Sequence, residues 1–238
     1  MPLRLNPNHL FSDATTSSLP TAGSQTLLFH RTMAIVCGMN VLTFIGTLVT
    51  EDWHPSGGVM LVLIIASFSL IFATSFWAER AAANDPSPLL GVAAFALIEG
   101  LILGPAIGMY KATLGPDAVQ FAVAAVVAAT AVFGGIGSVA SFAYKKLEAV
   151  LLLGLFGMIA FLFGSTLVVV PEGIDLGMSV GGAVLVCLFI VVDFARLKDT
   201  GRRTAGWGAA GMLAMNIYLD MINLLLFLLR IMAKSKSK

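Results

Sequence analysis

Long uncharged stretches separated by short polar breaks run through most of the chain. Residues 32–50, 55–78, 118–144 and 149–171 contain no Asp, Glu, Lys or Arg. The stretch 86–110 is interrupted by Glu99 alone, 176–192 is uncharged up to Asp193, and 204–229 is interrupted by Asp220 alone. A helix needs about 20 mostly apolar residues to cross a bilayer, so each stretch can cross once. The pattern predicts an all-α integral membrane protein with seven transmembrane helices, at about residues 32–50, 57–78, 88–110, 118–143, 149–171, 176–196 and 209–231. Residues 1–28 have no long apolar core and are rich in Ser, Thr and Ala. They read as a flexible tail that stays on the mature protein, ahead of a membrane domain over 29–232 and a basic C-terminal tail over 233–238.

Composition narrows the class further. Hydrophobic residues make up 58% and charged residues 11% of the chain, against roughly 25% charged in soluble domains. A net charge of +1 gives no electrostatic footprint for nucleic acid. Cys37 and Cys187 both sit in apolar runs, so no disulfide framework organises the chain. Lys and Arg placement sets orientation. Arg4, Arg31, Arg80, Lys145, Lys146, Arg196, Lys198, Arg202 and Arg203 share one side, against Lys111 on the other before the last helix. That asymmetry predicts a cytoplasmic N-terminus. Arg230, Lys234, Lys236 and Lys238 then fall outside if helix 7 crosses; because earlier helices dominate orientation, crossing is expected rather than re-entry.

The few charges within apolar runs are the candidate chemistry. An ionisable side chain at the bilayer centre costs about 2.5–3.5 kcal/mol on insertion scales and usually faces a cavity or a partner. On helix 7, Asn216, Asp220, Asn223, Phe227 and Arg230 fall within a strip roughly 80° wide at about 100° per residue. Such a strip lines either a water-filled path or a polar helix–helix seam, and a carboxylate is a costly way to join helices. Asp193 ends helix 6 on the side where Arg80 ends helix 2, and the short turn after Asp193 makes helices 6 and 7 antiparallel neighbours. Two carboxylates in one low-dielectric site share a proton and titrate as a unit, while an arginine favours the ionised form. Asp220 lies deeper than Asp193, so alignment needs tilt or a late start to helix 7 after Gly206, Gly208 and Gly211. The pairs Gly104/Gly108, Gly173/Gly177 and Gly177/Gly181, with the cluster at Gly134, Gly135 and Gly137, are read as helix-packing positions.

Enzymatic alternatives fail on residue supply. His9, His30 and His54 all lie outside the spans, so no intramembrane Ser–His dyad or histidine metal site can form. Gly137-Ser138 is followed by Val139, not by the glycine of a rhomboid-type motif, and helix 7 has no central lysine for retinal. No enzymatic activity and no bound cofactor are expected.

The stretches 91–100 (GVAAFALIEG) and 103–108 (LGPAIG), the helix 6 ending FIVVD at 189–193, and IYLDMINLLLFLLRI at 217–231 resemble the Bax-inhibitor family, the transmembrane Bax inhibitor motif proteins, in a bacterial form. The likeness runs in order from about residue 30 to 232 and is strongest in helices 3, 6 and 7. It implies a central helix 7 ringed by the other six, and a pH-sensitive Ca²⁺ leak gated by an aspartate pair, which by motif position is Asp193 and Asp220. Those carboxylates would meet Ca²⁺ transiently, as the transported ion. The resemblance further implies a helix 2 arginine latch, for which Arg80 is the candidate. Asn216, Asn223, Arg230 and Glu99 would line or support the pathway. Relatives also pair a helix 2 glutamate with the helix 7 arginine, but this chain offers Ser69 there. The surroundings implied are a lipid bilayer, most simply a bacterial inner membrane, with Ca²⁺ and protons as ligands. The second reading is a non-conducting modulator of a membrane-anchored quality-control protease or a cell-death-type partner, recognised through the N-terminal tail.

Overall fold

The computed structural model describes residues 22–139, 144–165 and 172–236. They form seven helices in order: α1 (Ala22–Thr50), α2 (Gly57–Arg80), α3 (Leu89–Leu114), α4 (Pro116–Val139), α5 (Tyr144–Ser165), α6 (Glu172–Gly201) and α7 (Trp207–Lys236). Among the described residues α1, α2, α3, α4, α6 and α7 are long and apolar enough to cross a membrane; α5 spans 22 residues and opens on Lys145, Lys146 and Glu148. Much of the outer surface is large and apolar, including Phe44, Phe68, Phe72, Phe121 and Phe156. Aromatic exposure on that scale would be an aggregation hazard in water and is ordinary against lipid.

Local chemistry sets the helix ends. Ser56 caps α2 by accepting the Val59 N–H. Gly115, at φ +94°, ends α3 in a conformation that suits glycine, and Pro116 opens α4 where its missing N–H costs nothing. Helix α7 is unbroken over 30 residues, about 45 Å at 1.5 Å per residue, and offers no turn at which to fold back.

Most helices run a few residues past the expected spans, with α5 starting at Tyr144 and α6 covering Glu172–Gly201, and the largest difference is at the start of α1. Helix α1 begins at Ala22, so residues 22–28 belong to a helix rather than to the tail; residues 1–21 lie outside the described residues. The reason is tertiary. Ser24 donates to the Gly201 carbonyl at 2.7 Å, Leu28 is fully buried, and Arg31 donates to the Ala205 carbonyl while lying 4.3 Å over the Trp207 ring. The start of α1 therefore clamps the α6–α7 turn. At the other end α7 runs on to Lys236, taking Lys234 and Lys236 into its last turn, where cations suit the helix dipole. The expected ends of helices 4 and 5, at 140–143 and 166–171, lie outside the described residues.

Helix α7 packs against α1, α2, α3, α4 and α6. Its buried face includes Ala210, Ala214, Met215, Ile217, Tyr218 and Leu224. Its start is fixed by the Trp207 N–H, which donates to the Ala83 carbonyl in the α2–α3 turn at 3.0 Å. Glycines allow the closest approaches. A Cβ on Gly100 would lie 2.5 Å from the Thr43 carbonyl oxygen, and one on Gly104 would lie 2.0 Å from the Thr50 hydroxyl. Gly134 and Gly137 admit Phe194 and the Val191 backbone of α6. Gly135, Gly173, Gly177 and Gly181, expected to pack in the same way, face open space among the described residues.

Candidate functional site

The polar strip of α7 faces α6. Gly182 leaves room for the Phe227 ring, since a Cβ there would lie 2.4 Å from it. One end of the seam is tied by Arg230 donating to Asp175, with Lys234 at 3.0 Å from the same carboxylate. Farther along, Asp220 acts electrostatically on Cys187. The rungs Asp175/Arg230, Gly182/Phe227 and Cys187/Asp220 thus give an antiparallel register. In that register Asp193 lies more than one turn beyond the level of Asp220, toward the α6–α7 turn.

Both aspartates of the expected pair are in this seam, within electrostatic reach of each other. Asp193 is buried, at 6% exposure. Its cation is Arg196, one turn on along α6, with Nη1 at 3.8 Å from Oδ1. Arg196 is held in turn by Glu148 of α5. Asp220 differs in having no such partner: its Oδ2 is buried and accepts no hydrogen bond among the described residues. A charge in that position must be matched by a proton, a cation or a basic side chain.

The arginine latch expected from Arg80 is not formed. Arg80 is exposed at the end of α2, with its guanidinium 5.8 Å from the Phe76 ring. Helices α2 and α6 make no contact, so Arg80 is not positioned to reach Asp193. The i, i+3 spacing of Asp193 and Arg196 was the sequence signal for the pairing that does form. Arg230 finds its carboxylate on α6, at Asp175, rather than on α2; Ser69 is exposed and bonds only its own helix at the Ile65 carbonyl. Asn216 is half-buried and Asn223 exposed.

Glu99 belongs to a separate cluster. Ser67 of α2, buried, donates to Glu99 Oε1 on α3. Nearby, Thr43 donates to the Ala96 carbonyl at 3.0 Å and shares a 2.5 Å hydrogen bond with the Tyr218 hydroxyl. With the Thr43 proton directed at Ala96, Tyr218 is the donor to Thr43. This cluster links α1, α2, α3 and α7, with Glu99 close enough to act electrostatically on Tyr218. Sequence reading missed Tyr218 and Thr43 because a buried tyrosine on an apolar helix face looks like core.

Among the described residues no three His, Cys, Asp or Glu side chains converge as a metal site. A family model described as inhibitor of apoptosis-promoting Bax1 matches residues 25–237. No curated protein matches the chain.

Proposed function

The chain belongs to the Bax inhibitor family, and on that premise we propose that it is a pH-sensitive Ca²⁺ leak whose gate is the α6–α7 seam. Its seat is a bilayer, which we take to be a bacterial inner membrane with the N-terminus in the cytoplasm. Helix α7 serves as a hub for α1, α2, α3, α4 and α6, while α5 packs on α6 rather than completing the expected ring of six. The observation that carries this reading is Asp220 Oδ2, buried without a hydrogen bond in a seam that also holds buried Asp193. A structural seam would be built from groups that satisfy one another. Here one carboxyl is left open beside a second.

The groups facing Asp193 are Arg196 on its own helix, Glu148 from α5 and Asp220 from α7. In the closed state ionised Asp193 holds Arg196, and Arg196 bridges to Glu148, tying α5 and α6 at the level of the dyad. Protonation of Asp193 removes its attraction for Arg196 and its repulsion of Asp220, and so changes the charge balance at the inner end of the seam. The ionised pair supplies hard carboxylate oxygens, the donor type Ca²⁺ prefers, so transient ion binding and proton binding compete for the same atoms. At the far end Asp175, Arg230 and Lys234 form a second tie that must loosen for an ion to leave.

The test is Ca²⁺ entry into dye-loaded liposomes holding the purified protein, across acidic to mildly alkaline pH, with Asp193→Asn and Asp220→Asn in parallel. A pH-dependent leak that either substitution flattens supports the reading. Entry no faster than in empty liposomes at every pH would overturn it in favour of a non-conducting modulator. Binding to a membrane-anchored protease, with and without residues 1–21, would then be the next measurement.

A further inference from the structure

Helices α1 and α4 both pack on the bundle yet make no contact with each other. Between them a groove of about 660 Å³ opens sideways, floored by α3 and α7. Its lining is mostly apolar, with Phe44 and Leu48 of α1, Val123 and Val127 of α4 and Leu225 of α7, while Asn40, Thr43 and Thr47 add polar groups along the α1 wall. Phe44 is 62% exposed and Val127 55%, so its walls are presented to hydrocarbon. One end is different. There Glu51, just past the end of α1, and Lys111, in the last turn of α3, pair at 2.6 Å, both partly open, and the exposed Gln120 of α4 lines the same groove.

We propose that this groove holds one acyl chain of a phospholipid bearing a primary amine, a phosphatidylethanolamine, from the leaflet at the Glu51–Lys111 end. Charge complementarity selects this lipid. Such a headgroup carries a phosphate and an ammonium, matching Lys111 and Glu51 respectively. Binding exchanges one partly exposed ion pair for two, and a partly exposed pair is weak enough to be exchanged readily. The phosphate gains the Gln120 N–H as a further donor. The carboxylate makes the choice of amine: a primary ammonium donates hydrogen bonds to it, and a choline ammonium has no N–H to donate. The bound chain lies along Met221, Ile222 and Leu225, on the side of α7 turned away from the α6 seam.

The experiment uses Phe44→Trp as a reporter in full-length protein with Trp53, Trp77 and Trp207 replaced by Phe. It is reconstituted into phosphatidylcholine vesicles containing an equal fraction of dibrominated phosphatidylethanolamine, phosphatidylcholine or phosphatidylglycerol. Bromine quenches only a neighbouring tryptophan. The expected result is a relative association for phosphatidylethanolamine about threefold or more above the other two. Glu51→Gln with Lys111→Gln should bring it to parity, and a Phe72→Trp reporter on the open lipid face of α2 should show parity throughout. An Ala124→Phe filling of the groove should abolish the preference without touching the ion pair. Equal quenching by all three lipids at Phe44→Trp, or preference for phosphatidylglycerol, would overturn the proposal. Protection from every brominated lipid would also overturn it, by showing that protein, such as a second copy of this chain, covers the groove.

Discussion

The α1–α3 and α6–α7 seams join helices of similar length by opposite means. Between α1 and α3 the backbones meet across Gly46, Gly100, Gly104 and Gly108, and the polar groups there are matched. Thr43 bonds Ala96, Thr47 bonds Gly100, and Thr50 bonds Gly46 in its own helix. Between α6 and α7 a ring is set on a glycine, a charged tie joins Asp175 to Arg230 and Lys234 at one end, and toward the other end one buried carboxyl oxygen has no partner among the described residues. Van der Waals contact between backbones is lost at once when helices separate, which suits a fixed frame. Charged ties respond to protons and ions, which suits a moving part. The proposed gate follows from that contrast.

The contrast is broken most severely on the frame side. Gly100→Ala places a Cβ 2.5 Å from the Thr43 carbonyl oxygen and should cost about 2–3 kcal/mol, read as a lowered denaturation midpoint in detergent. Gly38→Ala, on the same α1 but with nothing within 4 Å, should be neutral or stabilising by about 0.5–1 kcal/mol. Equal losses at the two positions would remove close approach as the explanation.

On the seam side, Asp175→Asn unties Arg230 and Lys234 together. The expected loss is about 1 kcal/mol, because both cations are partly exposed. Ca²⁺ entry at the closed pH should rise severalfold, whereas an unchanged rate would show that this end does not gate. Tyr218→Phe sharpens the comparison from the frame side. It removes the hydrogen bond to Thr43 and should cost about 1 kcal/mol while leaving the pH profile of flux where it was. A displaced profile would tie the Glu99 cluster to the switch.

The smallest effect is expected in the α2–α3 turn. The Ser87 N–H and then the Ser87 hydroxyl donate to Asp85, holding its carboxyl below the usual carboxylate range. The stability this adds is present above the unfolded-state pKa and is lost as pH falls through the lower folded value. A ¹³C titration of the Asp85 carboxyl should therefore show a midpoint under 3.8, moving back up in Ser87→Ala, with no change in flux.

Much of the bundle was legible in residue order. Uncharged stretches marked the helices to within a few residues at most ends, because a bilayer imposes a length and forbids stray charge. The α7 strip was visible as a periodicity, and its partner helix followed from the short α6–α7 turn. Pairings between distant residues were not legible. Nothing in the order of residues says that Arg230 finds Asp175 across 55 positions, or that Glu148 of α5 holds Arg196. Arg80 was attractive by resemblance and by side of the membrane, yet the absence of any α2–α6 contact decides against it. Spacing also misjudged the glycines. Gly104 meets the last residue of α1 and Gly108 the Glu51 backbone just past it, while Gly173, Gly177 and Gly181 share the same four-residue interval and meet nothing described. The start of α1 was hidden because its order comes from the α6–α7 turn it covers.

Locking the seam tests whether ions pass only when α6 and α7 part. Gly182 and the tip of the Phe227 ring face each other across α6 and α7, so Gly182→Cys with Phe227→Cys, in a chain with Cys37 and Cys187 replaced by Ser, can be bridged by a short bis(methanethiosulfonate), which spans the gap the ring leaves, and released by a reductant. Calcium entry into liposomes should fall to the empty-liposome level on cross-linking and return on reduction. Entry that persists at the reduced rate after the cross-link is complete would show that ions pass without the α6–α7 seam opening, and would contradict the account.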